Sequence, residues 1–548
     1  MKVTPVGKSS ASAFVRMIAG ARPPEQRNLP SMLQEAARLH PDKPHLTIGE
    51  RTMSFSQCRD RAAAVAGQLA ARGIRPGDRV ALMCRNRIEF VEFLMGCFWL
   101  RAIVVPINPA LRGAQLVHVL GMSGTGLLVL DGGLIAHIAA LAPITSLKEV
   151  WPLDPVPEGV ANLDRLCIVG SPQHWQPNPP PVIAAGDPSA ILFTSGTTGA
   201  SKGALCPAAQ FYWWAEYQTA AMTVESTSVL FNALPLHHIN AINTVCQSLL
   251  TGARCVIGER FSATGFWRAA AESGATHTSL IGVMANFLIA QPPGEWDQAH
   301  RVGTLIASSV RADIWPAFAA RFGVSRRVGG YGSTETNLVF NADDGWDVPG
   351  NMGFATEGFE VAVVDAQDQP VPAGTAGELV VRSQVPFVHF LCYWGNPDAT
   401  LSTCRNLWFH TGDLVVRDTT GRFRFVGRLK ESIRRRGENI SAWEVEQSLL
   451  EHPAIADAAA FGVPCELSSE DVMAVIVVRP GASARPDEIC AFLESRLARF
   501  AIPRYLELSD ALPLTDTGKV NRSKLKERGL TAATWDREAV GGEPHVHR

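Results

Sequence analysis

The sequence predicts an α/β protein in which parallel sheets are covered by helices on both faces. Strand and helix patterns alternate along the first part of the chain, as in the strand Arg79 to Met83 and the helix Ile88 to Leu100 that follows it. At 548 residues the chain is too long for one hydrophobic core, so we expect two to four folding units. A hydrophobic content of 46% is ample for those cores.

The N-terminal elements follow from apolar spacing and from turn residues. Ser56 to Gly73 has the spacing of a helix and ends at a glycine, which is a common helix stop. Gly49 and Glu50 divide two short strand patterns and predict a hairpin. In chain order the predicted elements are a helix at Ser31 to Leu39, a hairpin at Pro44 to Phe55, a helix at Ser56 to Gly73, a strand at Arg79 to Met83, a helix at Ile88 to Leu100, a short strand at Val104 to Pro106 and a helix at Gln115 to Ser123.

The C-terminal part has the pattern of a compact α+β domain of about 100 residues. The strands Gly377 to Arg382 and Arg422 to Val426 end the preceding unit, and we place the boundary near Gly427 to Lys430. The proline-rich stretch from Trp151 to Asp187 is expected to be a surface connection, and the segment 531–548 a loose tail. Beyond the boundary the predicted elements are a helix at Trp443 to Leu450, a strand at Val472 to Val478 and a helix at Asp487 to Arg496.

Charge and cysteine content narrow the classes of function. The formal net charge of −2 gives no overall attraction to nucleic acid or to an anionic membrane. The eleven cysteines are scattered without a CxxC pair, so neither a zinc site nor a disulfide framework is indicated, and a reducing cytoplasm is favoured. The apolar run Phe93 to Leu100 is bounded by Glu92 and Arg101 and is too short to span a membrane. Residues 1–28 are expected to form a flexible N-terminus.

The most informative stretch, TSGTTGASKG, begins at Thr194. It follows the apolar run Ala190 to Phe193, which predicts a buried strand that ends in a loop of hydroxyls and glycines. Glycines let backbone N–H groups approach an anion closely, and the hydroxyls and Lys202 add side-chain donors. The loop therefore has the chemistry of a polyphosphate cradle, although its spacing differs from the Walker A pattern. The alternative is a polar surface turn, which is disfavoured because all of these residues follow directly after a strand.

This stretch resembles the phosphate loop of the adenylate-forming superfamily, which includes acyl-CoA synthetases, luciferases and the adenylation domains of peptide synthetases. The resemblance extends from about Leu29 to about Leu525, and later motifs occur in the family's order. It implies a large N-terminal domain (29–428) with a β-rich subdomain, a hinge (429–430) and a small mobile α+β lid domain (431–530). It also implies ATP with Mg²⁺ as cofactor and CoA as co-substrate. The phosphate contacts that it implies fall on Thr194, Ser195, Gly196, Thr197, Thr198, Gly199 and Lys202.

A second motif, YGSTET, begins at Tyr331 and resembles the family's adenine and metal site. The resemblance implies that Glu335 holds Mg²⁺ on the ATP phosphates and that Thr334 touches the α-phosphate. A carboxylate oxygen suits Mg²⁺, which usually takes one or two protein carboxylates together with phosphates and water. Tyr331 resembles the residue that stacks on adenine, and Gly332 and Ser333 lie beside it. Without the family context, the same residues are typical of a helix N-terminus with its cap.

Three further matches complete the expected nucleotide site. Asp413, in the sequence HTGD, resembles an aspartate that accepts both ribose hydroxyls, as acidic residues do in other nucleotide folds. Arg428 matches an arginine that contacts ribose or phosphate, and an interdomain salt bridge is its alternative. Lys519, in the turn LTDTGKV, resembles the family's catalytic lysine, whose charge can bridge the carboxylate and the α-phosphate as they are pushed together. An Asp after a turn is often only a cap and most exposed lysines have no role, so these assignments depend on the family's sequence frame.

The run RRRGENIS, which begins at Arg434, resembles the family's signature for transfer to CoA. The resemblance implies that Gly437 lines the tunnel for the pantetheine arm and that Lys430 is the hinge, whereas a solvated basic face is the alternative. Many relatives have two glycines here, and this chain has Arg436 before its single glycine, a departure that affects the tunnel lining. His238, in the sequence PLHH, is expected to gate the passage between the acyl pocket and the tunnel; its alternative is a packed or capping histidine.

Within the family the chain looks most like the carnitine/crotonobetaine-CoA ligase group, through the segments Trp99 to Asn108, Phe261 to Trp267 and Arg435 to Ser441. Aromatic rings in the acyl pocket could hold a quaternary ammonium by cation–π contact, or an aryl or alicyclic acid, or they could simply pack. The acid is therefore left open. The residues expected in the pocket are Tyr212, Trp213, Tyr217, His238, Asn240, Gly282, Met284 and Asn337.

These matches predict an ATP-dependent acyl-CoA ligase. A carboxylate attacks the α-phosphate of MgATP to give acyl-AMP and pyrophosphate; the small domain then turns, and the CoA thiol attacks the acyl-adenylate and releases AMP. The expected partners are a small carboxylic acid, ATP and CoA, with no nucleic acid and no transmembrane segment, in the cytoplasm; a homo-oligomer is left open. Two alternatives are an adenylation enzyme that loads a carrier-protein thiol and a non-catalytic nucleotide-binding homologue.

Overall fold

The computed structural model describes residues 20–194, 201–308, 310, 312, 314–342, 348–429, 432–435, 438–465, 470–494, 496, 497, 499, 501–515 and 519–539. Their contacts divide them into two compact units. The first takes its residues from Met1–Asp347, Met352–Val361 and Val381–Phe409, and the second from Val348–Asn351, Ala362–Val380 and His410–Arg548. The division into one large and one smaller unit agrees with the predicted fold class.

The strands of the first unit are spread along most of its length. In chain order the strands are β1 (Pro44–Ile48), β2 (Arg51–Ser54), β3 (Arg79–Met83), β4 (Ile103–Pro106), β5 (Leu127–Leu130), β6 (Glu149–Pro152), β7 (Pro188–Thr194), β8 (Lys202–Pro207), β9 (Val229–Asn232), β10 (Arg254–Ile257), β11 (His277–Ile281), β12 (Thr304–Ser308), β13 (Arg326–Ser333) and β14 (Asn337–Ala342). Three strands with residues from both units follow, β15 (Asn351–Ala355), β16 (Phe359–Val364) and β17 (Ala376–Ser383), and β18 (Cys392–Tyr393) returns to the first unit.

The first unit contains mixed sheets with parallel centres, as the alternation of strands and helices predicts. One sheet has the order β18-β8-β7-β4-β3-β5-β6, with parallel β3–β4, β3–β5 and β5–β6 pairs and an antiparallel β7–β8 hairpin. In a second sheet β13-β12-β11-β9-β10-β1 are joined by parallel pairs, and β14 and β2 add antiparallel partners. The β7–β8 hairpin is held in the core by Ile191 and Leu205, which pack with Val105 and Leu128.

Helix boundaries in the first unit follow local capping chemistry. The hydroxyl of Ser54 accepts the Gln57 N–H while the Gln57 side chain accepts the Ser54 N–H, so the helix begins at Phe55. The strand Arg79–Met83 and the helix Ile88–Leu100 have the predicted bounds. The α-helices of this unit are Leu29–Leu39, Phe55–Ala71, Ile88–Leu100, Gly113–Ser123, Ile135–Ala139, Ala208–Met222, Ile239–Thr251, Phe266–Ser273, Gly282–Ile289, Trp315–Phe322 and Pro397–Thr403.

The second unit is α+β, as predicted. Its strands are β19 (Phe409–Arg417), which pairs antiparallel with β20 (Phe423–Arg428); β21 (Ser432–Arg435), which pairs antiparallel with β22 (Glu438–Ser441); and β23 (Ile455–Pro464), β24 (Glu470–Val478), β25 (Tyr505–Leu508) and β26 (Trp535–Asp536), which form a sheet in that order. Its helices are Ala442–Leu450, Pro486–Leu493 and Arg522–Arg528. The buried side chains Val445, Leu449, Ile476 and Leu493 join the helices to the sheet.

The expected loose tail differs from the structure over residues 531–539. Trp535–Asp536 forms β26, which pairs antiparallel with β25. Asp536 accepts two hydrogen bonds of 3.1 Å from the Arg504 guanidinium, and Glu538 lies 3.1 Å from Arg435 Nη2. Ion pairs and strand pairing hold this segment, with Trp535 as its packed apolar residue, so hydrophobic periodicity does not predict it. The remainder of the predicted tail, 540–548, lies outside the described residues, as do residues 1–19 of the predicted flexible N-terminus. Residues 20–28 differ from that prediction, because Asn28 is buried and caps the first helix, and the Arg22 N–H donates to Tyr212 Oη.

Two other predictions concern the chain's organisation. The domain boundaries at 28, 428 and 530 stay predictions, and the proposed hinge Lys430 lies outside the described residues. In the part of the chain that the structure describes, no helix is both long and apolar enough to cross a membrane.

Candidate active site

The predicted phosphate loop joins two paired strands of the first unit. Thr194 ends β7 and Lys202 begins β8, and these two residues are register partners in the hairpin. The structure therefore brings both ends of the loop together at one place on the sheet. The other predicted phosphate contacts, Ser195, Gly196, Thr197, Thr198 and Gly199, lie outside the described residues.

Glu335 lies beside these loop ends. Its carboxylate is buried, with the residue 7% exposed, and its Oε1 accepts a 2.9 Å hydrogen bond from Tyr393 Oη. Thr194 Oγ1 is also a donor to Oε1, at 3.4 Å. Lys202 Nζ lies 4.6 Å from the centre of the Tyr393 ring, in cation–π contact. Two predicted site residues, Glu335 and Lys202, thus contact Tyr393, which no sequence motif marks, and Thr194 reaches the same Glu335 oxygen.

Tyr393 is positioned by strand pairing. It lies on β18, which pairs antiparallel with β8, the strand that begins at Lys202. Burial raises the pKa of the Tyr393 phenol, and the nearby Glu335 carboxylate raises it further. The phenol therefore keeps its proton and acts as a hydrogen-bond donor to the carboxylate across the physiological pH range.

The donor set around Glu335 fits a magnesium ion that also contacts phosphate. Among the described residues, no group of three or more His, Cys, Asp or Glu side chains could enclose a metal. Mg²⁺ takes only oxygen ligands and usually one or two protein carboxylates, with phosphates and waters for the rest. A single buried carboxylate beside a phosphate loop has this chemistry.

The turn that carries Thr334 is fixed from both sides. Gln210 Nε2 donates to the Thr334 carbonyl at 2.8 Å, and Asn337 Nδ2 donates to the Gln210 carbonyl at 3.3 Å. A Cβ on Gly332 would lie 2.0 Å from the Asn337 carbonyl oxygen, so the turn requires glycine there. Tyr331 makes an edge contact with Phe340, with ring centroids 5.8 Å apart.

In the second unit, Asp413 and Arg428 face each other across the β19–β20 pair. Arg428 Nε lies 3.1 Å from Asp413 Oδ1, so this arginine forms a salt bridge within its own unit. The Glu378 carboxylate supports the segment before Asp413: one oxygen accepts the Gly412 N–H at 3.0 Å, and the other lies 2.9 Å from His410 Nδ1. Glu378 is a second residue that the sequence analysis missed.

Lys519 lies on an exposed turn of the second unit. The backbone N–H of Thr515 donates to the Lys519 carbonyl at 2.7 Å, and the Lys519 N–H donates to Thr515 Oγ1 at 3.2 Å. The isolated bridge between Leu514 and Val520 closes the turn below it. Lys519 therefore lies where the turn closes on Thr515, and its catalytic role stays a prediction.

The predicted CoA signature is described only in part. Gly437 and Arg436 lie outside the described residues, between β21 and β22. Arg435, from the same basic run, is 3% exposed and pairs with Asp471. This arginine is part of the second unit's core and not of a solvated basic face.

The predicted acyl-pocket residues fall into two groups in the first unit, and Tyr212, Trp213 and Tyr217 form the first, on the helix Ala208–Met222. Tyr212 and Trp213 are buried, and both contact the N-terminal segment: Tyr212 Oη accepts the Arg22 N–H at 3.1 Å, and the Arg27 guanidinium lies 4.9 Å from the Trp213 ring centre. Their place in a pocket stays a prediction. The second group lies at helix starts or on β14 and comprises His238, Asn240, Gly282, Met284 and Asn337.

Two adjacent histidines precede the helix Ile239–Thr251, and the pKa of one of them, His237, is shifted. His237 and His238 have ring centroids 4.3 Å apart, and His238 occupies the N-cap position. Burial, with a smaller contribution from His238, lowers the pKa of His237 to about 3. His237 is therefore neutral at neutral pH. The gating role of His238 stays a prediction.

Comparisons with known proteins match most of the length of this chain. A family model described as AMP-binding enzyme matches residues 33–394, and one described as AMP-binding enzyme C-terminal domain matches residues 444–519. The crotonobetaine/carnitine–CoA ligase of Escherichia coli is 32% identical over 470 residues, which are 83% of this chain and 89% of that protein.

Solved structures show the same fold. The O-succinylbenzoate coenzyme A synthetase of Bacillus subtilis in complex with ATP and magnesium ion is 22% identical with a TM-score of 0.77, over 90% of this chain and 99% of the other. The same synthetase in complex with the acyl-adenylate intermediate is 23% identical, also with a TM-score of 0.77, over 94% of this chain and 99% of the other.

Proposed function

The chain belongs to the AMP-binding enzyme family, and we propose from this membership a role for each residue of its candidate site. It is an AMP-forming acyl-CoA ligase: it uses ATP with Mg²⁺, a carboxylic acid and CoA, and it forms an acyl-adenylate before the thioester. The observation that best supports the residue roles is that Tyr393 contacts both Glu335 and Lys202, while Thr194 reaches the same Glu335 oxygen.

In the first half-reaction a carboxylate oxygen of the acid forms a bond to the α-phosphorus of ATP. The bond from that phosphorus to the β-phosphate oxygen breaks, and its electron pair leaves with pyrophosphate. We assign Lys202 and the loop after Thr194 to the departing phosphates, and Thr334 to the α-phosphate. Glu335 would hold Mg²⁺, whose charge offsets that of the phosphates when it is bound.

Lys519 is assigned to the transition state of this first step. The acid carboxylate and the α-phosphate are both negative, so their approach is electrostatically unfavourable. A lysine ammonium between them lowers that cost in the transition state more than in the separated reactants. Asp413 and Arg428 are assigned to the ribose, Tyr331 to the adenine, and Gly332 and Ser333 to the wall beside it.

In the second half-reaction the CoA sulfur forms a bond to the acyl carbon. The bond from that carbon to the AMP oxygen breaks, AMP leaves with the electron pair, and the thiol proton passes to solvent. Gly437 is assigned to the pantetheine passage, His238 to its gate and Lys430 to the hinge on which the small domain turns. No protein nucleophile is needed, because the adenylate is already activated.

We propose that the substrate is a small carboxylic acid, and the individual acid is left open. The Escherichia coli relative acts on crotonobetaine or carnitine by its name, and an identity of 32% supports the same class of reaction here. A cytoplasmic location agrees with the eleven cysteines, all of which are free. A homo-oligomer stays open.

The full chain should be incubated with MgATP, CoA and a panel of acids that includes carnitine, crotonobetaine, aryl, alicyclic and short or medium fatty acids. We expect one class to give acyl-CoA and AMP in equal amounts. Acid-dependent pyrophosphate exchange without thioester formation on free CoA would favour loading of a carrier-protein thiol. ATP binding with no acid-dependent exchange would favour the non-catalytic homologue.

A further inference from the structure

A cavity of about 430 Å³ lies in the first unit between the C-terminal half of the helix Ala208–Met222 and the strands β13 and β14. This volume is in the range of sites for a small organic ligand. Alanines and a valine form its apolar wall. Its polar lining consists of Tyr217, Arg326, Asn341, Thr356 and Glu357.

The polar atoms at this cavity that are buried without a hydrogen-bond partner among the described residues include Tyr217 Oη and Asn341 Oδ1. Tyr217 is 5% exposed, and Asn341 Nδ2 donates to Thr356 Oγ1 at 3.4 Å. A flip of the Asn341 side-chain amide would exchange Oδ1 and Nδ2 and would still leave one of these two atoms unpaired. Buried polar groups are nearly always satisfied in folded proteins, so the pair calls for a ligand or water partner.

The cavity is lined by the same strand and helix that hold the residues of the candidate active site. Asn341 is the register partner of Gly330, the residue before Tyr331 on β13. The helix that supplies Tyr217 also supplies Gln210, which holds the Thr334 carbonyl. At about 3.3 Å per residue, the three residues from Ser333 back to Gly330 span roughly 10 Å. A substrate that extends along β13 from the α-phosphate site would reach Asn341 at about that distance.

We propose that this cavity receives the far end of the acid and that this end carries an uncharged hydrogen-bonding group, a hydroxyl or an amide, roughly 10 Å from the carboxylate. The proposal rests on the ligase function. Tyr217 Oη and Asn341 are the specificity-determining groups. A plain alkyl chain of the same length fills the cavity, displaces water and leaves both groups unpaired.

Charge in the lining explains why the end group is neutral. Arg326 and Glu357 bring opposite formal charges, so neither an anion nor a cation is favoured by the sum. Arg326 donates to the Ala221 carbonyl at 2.8 Å and to Thr223 Oγ1 at 3.0 Å, which holds its guanidinium on the helix end. Specificity then depends on hydrogen bonding, where a missing partner costs far more than a missing methylene.

The test compares two acids with the same number of heavy atoms, 8-hydroxyoctanoate and nonanoate, together with the monoamide of octanedioic acid. Acid-dependent pyrophosphate exchange is measured with wild type, Tyr217→Phe and Asn341→Leu. We expect wild type to prefer the hydroxyl and amide ends over nonanoate by about 10-fold or more in kcat/KM. Each variant should reduce that ratio by about 10-fold while the KM for ATP stays unchanged.

Tyr505→Phe is the matched control, because it removes a buried phenol hydroxyl from β25 of the second unit and should leave the ratio unchanged. A wild-type preference for nonanoate, or a ratio that neither variant alters, overturns the proposal and leaves the ligase function intact. Absence of exchange with every acid, in this set and in the wider panel, contradicts both.

Discussion

Tyr393 Oη donates a 2.9 Å hydrogen bond to Oε1 of Glu335, although the two residues are 58 positions apart in the chain. The phenol keeps its proton because burial and the carboxylate itself raise its pKa. One oxygen of Glu335 is therefore held in a fixed direction by a neutral donor. Outer partners of this kind orient a metal-binding carboxylate, and their loss usually weakens metal affinity by about 10- to 100-fold.

Tyr393→Phe should raise the concentrations of Mg²⁺ and ATP that give half-maximal exchange by about 10-fold, without changing which acids are used. The ring that faces Lys202 is kept, so only the hydrogen bond is lost. Pyrophosphate exchange measured over a range of Mg²⁺ concentrations checks this. Tyr505→Phe serves as control, and an unchanged Mg²⁺ dependence in Tyr393→Phe would refute the positioning role.

Lys202→Ala should raise the KM for ATP by about 10-fold and leave the order of preference among acids unchanged. Its charge is expected to act on the departing pyrophosphate, whereas backbone N–H groups of the loop carry the remaining contacts. Initial rates at several ATP concentrations, with two acids, separate the effects. If the dependence on ATP does not move, Lys202 has no part in the site.

Gly437→Leu should stop the second half-reaction and spare the first. A leucine side chain would place bulk in the passage that we propose for the narrow pantetheine arm, and adenylation is not expected to use that passage. We expect pyrophosphate exchange near the wild-type rate together with loss of acyl-CoA formation. Equal loss of both would mean that the glycine supports the fold of the small domain.

His45 should make the first unit less stable in acid. Its ring is fully buried, with Nδ1 2.8 Å from Ser248 Oγ, and burial lowers its pKa to about 3. In the unfolded chain the imidazole titrates near pH 6.5, so below that pH the unfolded state binds a proton that the folded state does not. Stability therefore falls as the pH decreases from about 6.5 toward 3, by about 1.4 kcal/mol per pH unit, and is independent of this group above 6.5.

His45→Gln keeps a partner for Ser248 and removes the titrating ring. The loss of unfolding free energy between pH 7 and pH 5, measured by urea denaturation, should shrink by about 2 kcal/mol relative to wild type. His174, which is exposed, provides the control: His174→Gln should leave the difference unchanged. An equal loss in His45→Gln and wild type would contradict the assignment.

Local patterns predicted much of this fold because each depends on neighbouring residues. The strand Arg79–Met83 and the helix Ile88–Leu100 follow from apolar spacing, and β7 follows from the apolar run before the phosphate loop. The β26 segment has no such pattern: Asp536 is held by an ion pair to Arg504, the residue before β25. Spacing along the chain carries no information about such partners.

Site residues that belong to a local sequence motif could be predicted from the sequence. Site residues that reach the same place only through the pairing of distant strands could not. Thr194, Lys202 and Glu335 belong to recognisable motifs. Tyr393 joins them because β18 pairs with β8, a relation between segments almost two hundred residues apart that no local feature of the sequence reveals. Glu378 was missed for the same reason, since it reaches the Gly412 N–H across β17 and β19.

One chain performs two chemically separate half-reactions, and we propose that Lys519 is used only in the first. The most direct measurement supplies the Lys519→Ala enzyme with synthetic acyl-AMP and CoA and compares thioester formation with the overall reaction from acid, ATP and CoA. We expect an overall rate lowered by about 10²- to 10³-fold and thioester formation from acyl-AMP near the wild-type rate. If thioester formation from acyl-AMP falls as steeply as the overall reaction, the division of labour proposed for Lys519 is contradicted.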